Sequence, residues 1–131
     1  MEMNAYFKSI IDQDQCAIVI CDLDHEILYM NPAAVERYGK RGGQALVGKS
    51  LLDCHNPRSV ERIQEVVSWF AQSAGHNKIY TSRNEKENKD VYMVALRDRD
   101  GALIGDYEKH EYRNIETGKQ YDFGRSGSVE Q

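Results

Sequence analysis

The chain has 131 residues, 40% of them hydrophobic and 29% charged, with a formal net charge of −4. A single domain of this length buries roughly two-thirds of its unfolded surface, enough for a core without disulfides or metal. The mild acidity gives no general electrostatic drive toward nucleic acid or anionic membrane, and the ordinary composition excludes a disordered or fibrous chain.

Met3, Tyr6, Phe7, Ile10 and Ile11 recur at helical spacing and predict an N-terminal helix within residues 1–13. Ala17–Asp22 is short, apolar and β-branched, and Ile27–Met30 follows a polar turn, so both read as strands. The longest apolar run, Ala17–Cys21, falls far short of the ~20 residues that cross a bilayer, and the acidic N-terminus is no signal peptide. Three cysteines without a Cys-x-x-Cys pair fit a reducing cytoplasm, with neither a disulfide framework nor a zinc knuckle.

Asn31-Pro32 predicts a helix start running to about Tyr38, where Gly39, Gly42 and Gly43 interrupt the pattern. Ser50-Leu51-Leu52-Asp53 resembles a capping box, and Asn56-Pro57 opens the longest helix, with Val60, Ile63, Val67, Phe70 and Ala74 on its buried face and Gly75 to end it. Ile79–Arg83, Val91–Arg97 and Ala102–Arg113 read as strands, the last two joined by the turn signal Asp98-Arg99-Asp100-Gly101. Hairpin-linked strands with helices grouped between them predict an α+β layer fold. Both alternating sets of Val91–Arg97 are apolar, so the second sheet face needs a cover, either the N-terminal helix or a partner subunit.

Over about Ser9 to Arg113 the chain resembles a PAS domain. Three segments carry the resemblance: Cys21-Asp22-Leu23-Asp24 with Ile27–Ala34, then Leu46-Val47-Gly48-Lys49-Ser50, then Ala95–Gly105. The resemblance implies a PAS fold, a five-stranded antiparallel sheet with helices on one face around a small-molecule pocket. It sets a flanking helix at 1–13, the PAS domain at 14–114 and a tail at 115–131. Two departures stand out. His25 occupies a hairpin position that usually holds glycine, and Asp106–Tyr112 is charged where the last strand is usually apolar inside. The chain also lacks the Asp-Ile-Thr ending of effector-linked relatives, so a stand-alone domain acting on a protein effector in trans is expected. Cys54–Val60 more loosely resembles a His-Pro-Pro-Lys-Ser-Val stretch of PAS domains found beside hemerythrin-like domains, with Asn56 and Arg58 as changes.

Gly43-Gln44-Ala45-Leu46-Val47-Gly48-Lys49-Ser50 satisfies the P-loop pattern. A phosphate cradle needs a strand running into the loop and a helix opening at Lys49-Ser50, and the preceding segment here is helical and glycine-rich. His55 is the strongest candidate for ligand chemistry, because an imidazole there could hold haem iron as an axial ligand; its bland alternative is one hydrogen bond near a helix start. No histidine pair has metal-ligand spacing, and Cys54 and His55, being adjacent, diverge too far to form a nucleophile and base. Leu51 stands where light-sensing PAS domains carry their reactive cysteine, which excludes adduct photochemistry. Lys40-Arg41 and Arg97-Arg99 read as solvated surface.

The expectation is thus a cytoplasmic, non-catalytic PAS sensor, a homodimer through its N-terminal helix and outer sheet face. A small molecule, haem or another, would sit among His55, Ile63, Val67, Phe70, Tyr92, Val94 and Leu96. The alternatives are a ligand-free dimerisation module and, against its context, the P-loop nucleotide binder.

Overall fold

In the computed structural model, which describes residues 2–124, helix α1 spans Asn4–Gln13 and leads into a β-hairpin, β1 (Val19–Asp22) and β2 (Ile27–Met30). Helix α2 (Pro32–Arg37), three short 3₁₀ segments (Gly39–Arg41, Gly43–Leu46, Leu51–Cys54) and helix α3 (Pro57–Gln72) follow. Strands β3 (Lys78–Asn84), β4 (Lys89–Arg97) and β5 (Leu103–Tyr112) complete one antiparallel sheet of five strands, in the order β2-β1-β5-β4-β3. This is the expected α+β architecture, N-terminal helix included. Met1 and residues 125–131 of the expected tail lie outside the described residues, and 113–124 contain neither helix nor strand.

Two asparagines start the main helices. Asn56 Oδ1 accepts from the Ser59 amide at 2.9 Å, and Asn31 Oδ1 from the Ala34 amide at 3.0 Å, with proline next in both cases. Asn31 does more than cap α2. It is fully buried; its Oδ1 also accepts from the Ile18 amide, and its Nδ2 donates to the carbonyls of Ile11, Asp14 and Cys16. One side chain therefore joins the end of α1, the approach to β1 and the start of α2.

The buried residues of α3 are Ile63, Val66 and Phe70, with Val67 half-buried and Ala74 exposed. Burying three such side chains contributes about 1.5–3 kcal/mol each. The helix stops at Gln72 rather than at Gly75: Ser73 is already extended, and Arg97 of β4 bonds one carbonyl of the last turn and two of the segment beyond it. Arg97 Nη2 donates to Phe70 O, Ser73 O and His76 O at 2.8–3.2 Å, and Nε to Asn77 Oδ1 at 2.7 Å. Arg97 is thus a structural clamp and not solvated surface.

His25 adopts φ +64 in the first hairpin, the left-handed region that glycine usually fills, so the turn tolerates the strain. Gly105 has no such freedom to give: a Cβ there would lie 2.1 Å from the Cys21 carbonyl oxygen, so the central strands meet only because that position has no side chain.

The ladder sets which residues face the helices. Cys21 pairs with Asp106, Asp106 with Ala95, Glu108 with Met93 and His110 with Val91, and all of these share the inner face. On β4 this corrects the expected register. Val91, Met93 and Ala95 point inward, and Tyr92, Val94 and Leu96 lie half-buried on the outer face. With apolar residues in both sets, composition could not choose between them; the pairing of β4 with the charged strand β5 does.

Candidate functional site

A cavity of about 180 Å³ lies between the inner sheet face and the helical segments. Val19 and Cys21 of β1, Ile27 and Met30 of β2 and Met93 of β4 form its apolar floor. Leu46, Leu51 and Ile63 close it from the helical side. The remaining wall is polar: Asp106, Glu108 and His110 project from β5 at every second residue, facing Tyr38, Arg41, Cys54 and His55.

Asp106 is the most deeply buried residue of this wall. It is 3% exposed, flanked across the ladder by Cys21 and Ala95, and its Oδ2 has no hydrogen-bond partner among the described residues. Burial, reinforced by the negative charge of Glu108, pushes its carboxyl up to about 7. Glu108 behaves oppositely. Burial favours its neutral form, but the hydrogen bond and charge of His110, with His55 and Lys89 adding to it, hold its carboxyl below the ordinary glutamate range. His110 Nε2 lies 3.1 Å from Glu108 Oε1, and its buried Nδ1 has no partner. An open cleft on the outside shares Tyr38, Glu108 and His110 with the cavity, which explains why the Glu108 side chain is half-exposed.

Of the residues expected at the site, His55 and Ile63 border the cavity. Phe70 and Val67 belong instead to the core packed between α3 and β4, and Tyr92, Val94 and Leu96 lie on the opposite sheet face. His55 is exposed, and its Nδ1 lies 2.8 Å from the Leu51 carbonyl. The cavity volume is below the roughly 300–1,000 Å³ of pockets that hold drug-sized ligands. Among the described residues no group of His, Cys, Asp and Glu is spaced to hold a metal ion.

The P-loop pattern forms no phosphate cradle. The amides of Gly48 and Lys49 already donate to the carbonyls of Ile27 and Leu46, and the Lys49 side chain is exposed. Ser50 caps the four-residue 3₁₀ turn, its Oγ accepting from the Leu52 amide at 3.2 Å.

The charged departure at Asp106–Tyr112 falls on this wall, whose Asp106, Glu108 and His110 are not among the residues expected at the site. The sequence marks no inner face here: Asp106, Glu108 and His110 alternate with Tyr107, Lys109 and Glu111, so both sides of the strand carry charge.

A family model described as PAS domain matches residues 15–106. Solved structures share the fold at low identity. The PAS domain of a Colwellia psychrerythraea protein superposes with a TM-score of 0.62 at 16% identity, covering 85% of this chain and 97% of that one. The PAS domain of BvgS from Bordetella pertussis gives 0.61 at 16%, covering 86% and 88%. A C-terminal domain from Streptococcus mutans gives 0.64 at 19%, covering 83% and 84%. No curated protein matches.

Proposed function

Because the chain belongs to the PAS domain family, a family of sensory and signalling modules, we propose that it is a non-catalytic sensor whose cavity takes up one small molecule. One observation carries the reading: a buried carboxyl oxygen, Asp106 Oδ2, borders a cavity and has no partner among the described residues. A buried polar group without a partner costs about 1–3 kcal/mol, a cost that a bound ligand removes. Of the expected lining, His55 and Ile63 keep their place in this reading, joined by Met93, Asp106, Glu108 and His110.

The output is a contact between protein chains. Helix α1 buries none of its own residues, and Met3, Tyr6, Phe7 and Ile10 are 42–71% exposed. With Tyr80 and the half-buried Tyr92, Val94 and Leu96 of the outer sheet face, they offer a surface for a second copy of the chain. A ligand that binds one arrangement of the pair better than another shifts the balance between them, and a protein effector in trans reads the result. The PAS assignment and the absence of a membrane-length apolar helix among the described residues are compatible with action in the cytoplasm.

That same exposed face favours the second reading, a dimerisation module that works without a ligand. One measurement separates them, and a second tests the dimer they share. Amide NMR against a library of ring-sized fragments should move signals around Cys21, Met93 and Asp106; a library with no hits would leave the ligand-free module. Sedimentation equilibrium should show a dimer that Tyr6→Lys with Ile10→Lys turns into a monomer; a monomeric parent would remove the dimer from both readings. Adding hemin should leave the spectrum of free hemin, and a Soret shift lost in His55→Ala would overturn the size argument.

A further inference from the structure

The polar wall also restricts what the ligand is, an inference that rests on the ligand-binding reading above. With Asp106 ionised and the His110 ring neutral, the unpartnered groups of this wall are both acceptors. Asp106 Oδ2 is a carboxyl oxygen. In a neutral His110 ring, Nε2 facing Glu108 Oε1 at 3.1 Å is the nitrogen that carries the proton, so the buried Nδ1 presents a lone pair. A molecule that satisfies both must bring N–H or O–H donors.

Charge narrows the choice further. With both carboxyls ionised and the imidazoles neutral, the lining holds two negative groups, Asp106 and Glu108, against one positive group, Arg41. The other groups facing Asp106 add no charge of their own: the Cys21 thiol is held neutral by burial, and Tyr38 is pushed up likewise. An anion would meet two carboxylates. A divalent metal ion would find no suitable set of ligands among the described residues. A monocation brings the cavity to neutrality.

Size closes the argument. At about 180 Å³ the cavity is slightly larger than the ~150 Å³ void that admits one benzene molecule. Beside Asp106 on the same sheet face, Ile27, Met30 and Met93 make a floor that suits a flat apolar body, and methionine sulfur packs well against aromatic rings.

We propose that the cavity binds a single-ring organic base in its protonated form, with the ring on the methionine floor and its N–H donors on Asp106 and His110. Binding draws the proton off Asp106 wherever that carboxyl is protonated beforehand. The cation stays charged, and the released proton goes to the buffer.

The test uses 2-aminopyridine and toluene, which match in size, titrated by calorimetry and amide NMR in mildly acidic buffer. The whole chain should bind 2-aminopyridine with a heat that depends on the ionisation enthalpy of the buffer. Asp106→Asn should weaken this binding by at least about tenfold, the worth of one charge-assisted hydrogen bond, and leave toluene within about threefold of its original affinity. Far-UV circular dichroism establishes that the variant is folded; Glu108→Gln, which keeps Asp106, should weaken the base by a smaller factor. If Asp106→Asn binds the base as well as the parent does, or the parent prefers toluene, the cavity is a ligand site but not one for cations, and this inference fails alone. If neither probe binds, the ligand-binding reading fails with it.

Discussion

Cys21 and Asp106 are direct partners across the β1–β5 ladder, 2% and 3% exposed, in the middle of the sheet face that floors the cavity. Burial first, and then the negative charge of Asp106, push the Cys21 thiol up to about 12. Cys54 is exposed at the cavity rim and Cys16 is half-buried.

Iodoacetamide in mildly alkaline buffer should therefore modify Cys54 first and leave Cys21 untouched until the chain unfolds. Peptide mass mapping over time checks the order. Early labelling of Cys21 would mean that β1 and β5 separate readily in the native state.

Asp106 gives stability a pH dependence of unusual sign. Its folded-state carboxyl, pushed up to about 7 from an ordinary 3.8, keeps a proton that the unfolded chain has released. The contribution is fully present below the unfolded value, falls as pH rises through this window, and levels off above the folded value. The loss is at most about 4 kcal/mol, since each unit of difference is worth about 1.4. Asp106→Asn should flatten this part of the profile and be more stable than the parent in mildly alkaline buffer. Urea midpoints of both proteins from about pH 5 to pH 8 measure the difference. Parallel profiles would show that the carboxyl is solvated.

Asn31→Ala strands two amides and three carbonyls at the junction of α1, β1 and α2. A destabilisation of about 3 kcal/mol or more is expected. Asn56→Ala removes only an exposed cap and should cost about 1 kcal/mol, although both asparagines begin an Asn-Pro helix start. Chemical denaturation of the two variants tests the ratio.

Gly105→Ala should be the most damaging small substitution in the sheet. Its Cβ would meet the Cys21 carbonyl at 2.1 Å, a backbone atom that can yield only by parting β1 from β5. Loss of more than about 3 kcal/mol is expected, seen as low soluble yield or a lowered urea midpoint. A variant as stable as the parent would mean that the strands shift apart without cost.

Much of the architecture was legible because local chemistry specified it. Asn-Pro pairs opened the helices, a β-branched run and turn residues delimited the strands, and Ala95–Gly105 carried the family pattern through its turn. The lining of the cavity was harder to read. Tyr92, Val94 and Leu96 are as apolar as Val91, Met93 and Ala95, so β4 by itself had no inside. Its partner β5 carries charge on both faces, and charge reads as solvent exposure unless a cavity is known to receive it. Arg97 was missed for a related reason. Its partners are backbone carbonyls at the end of α3, and carbonyls leave no trace in a sequence.

The sheet order β2-β1-β5-β4-β3 sets β5, the last strand made, between β1 and β4. During synthesis the β1–β2 hairpin can form early, but its inner edge stays open until nearly the whole domain has left the ribosome. Closing so long a loop makes completion of the sheet slow compared with formation of the helices. Through that interval the β1 edge is the segment most exposed to pairing with another chain, so the speed at which β4 and β5 are translated and the supply of chaperones should govern yield more than the stability of the finished fold.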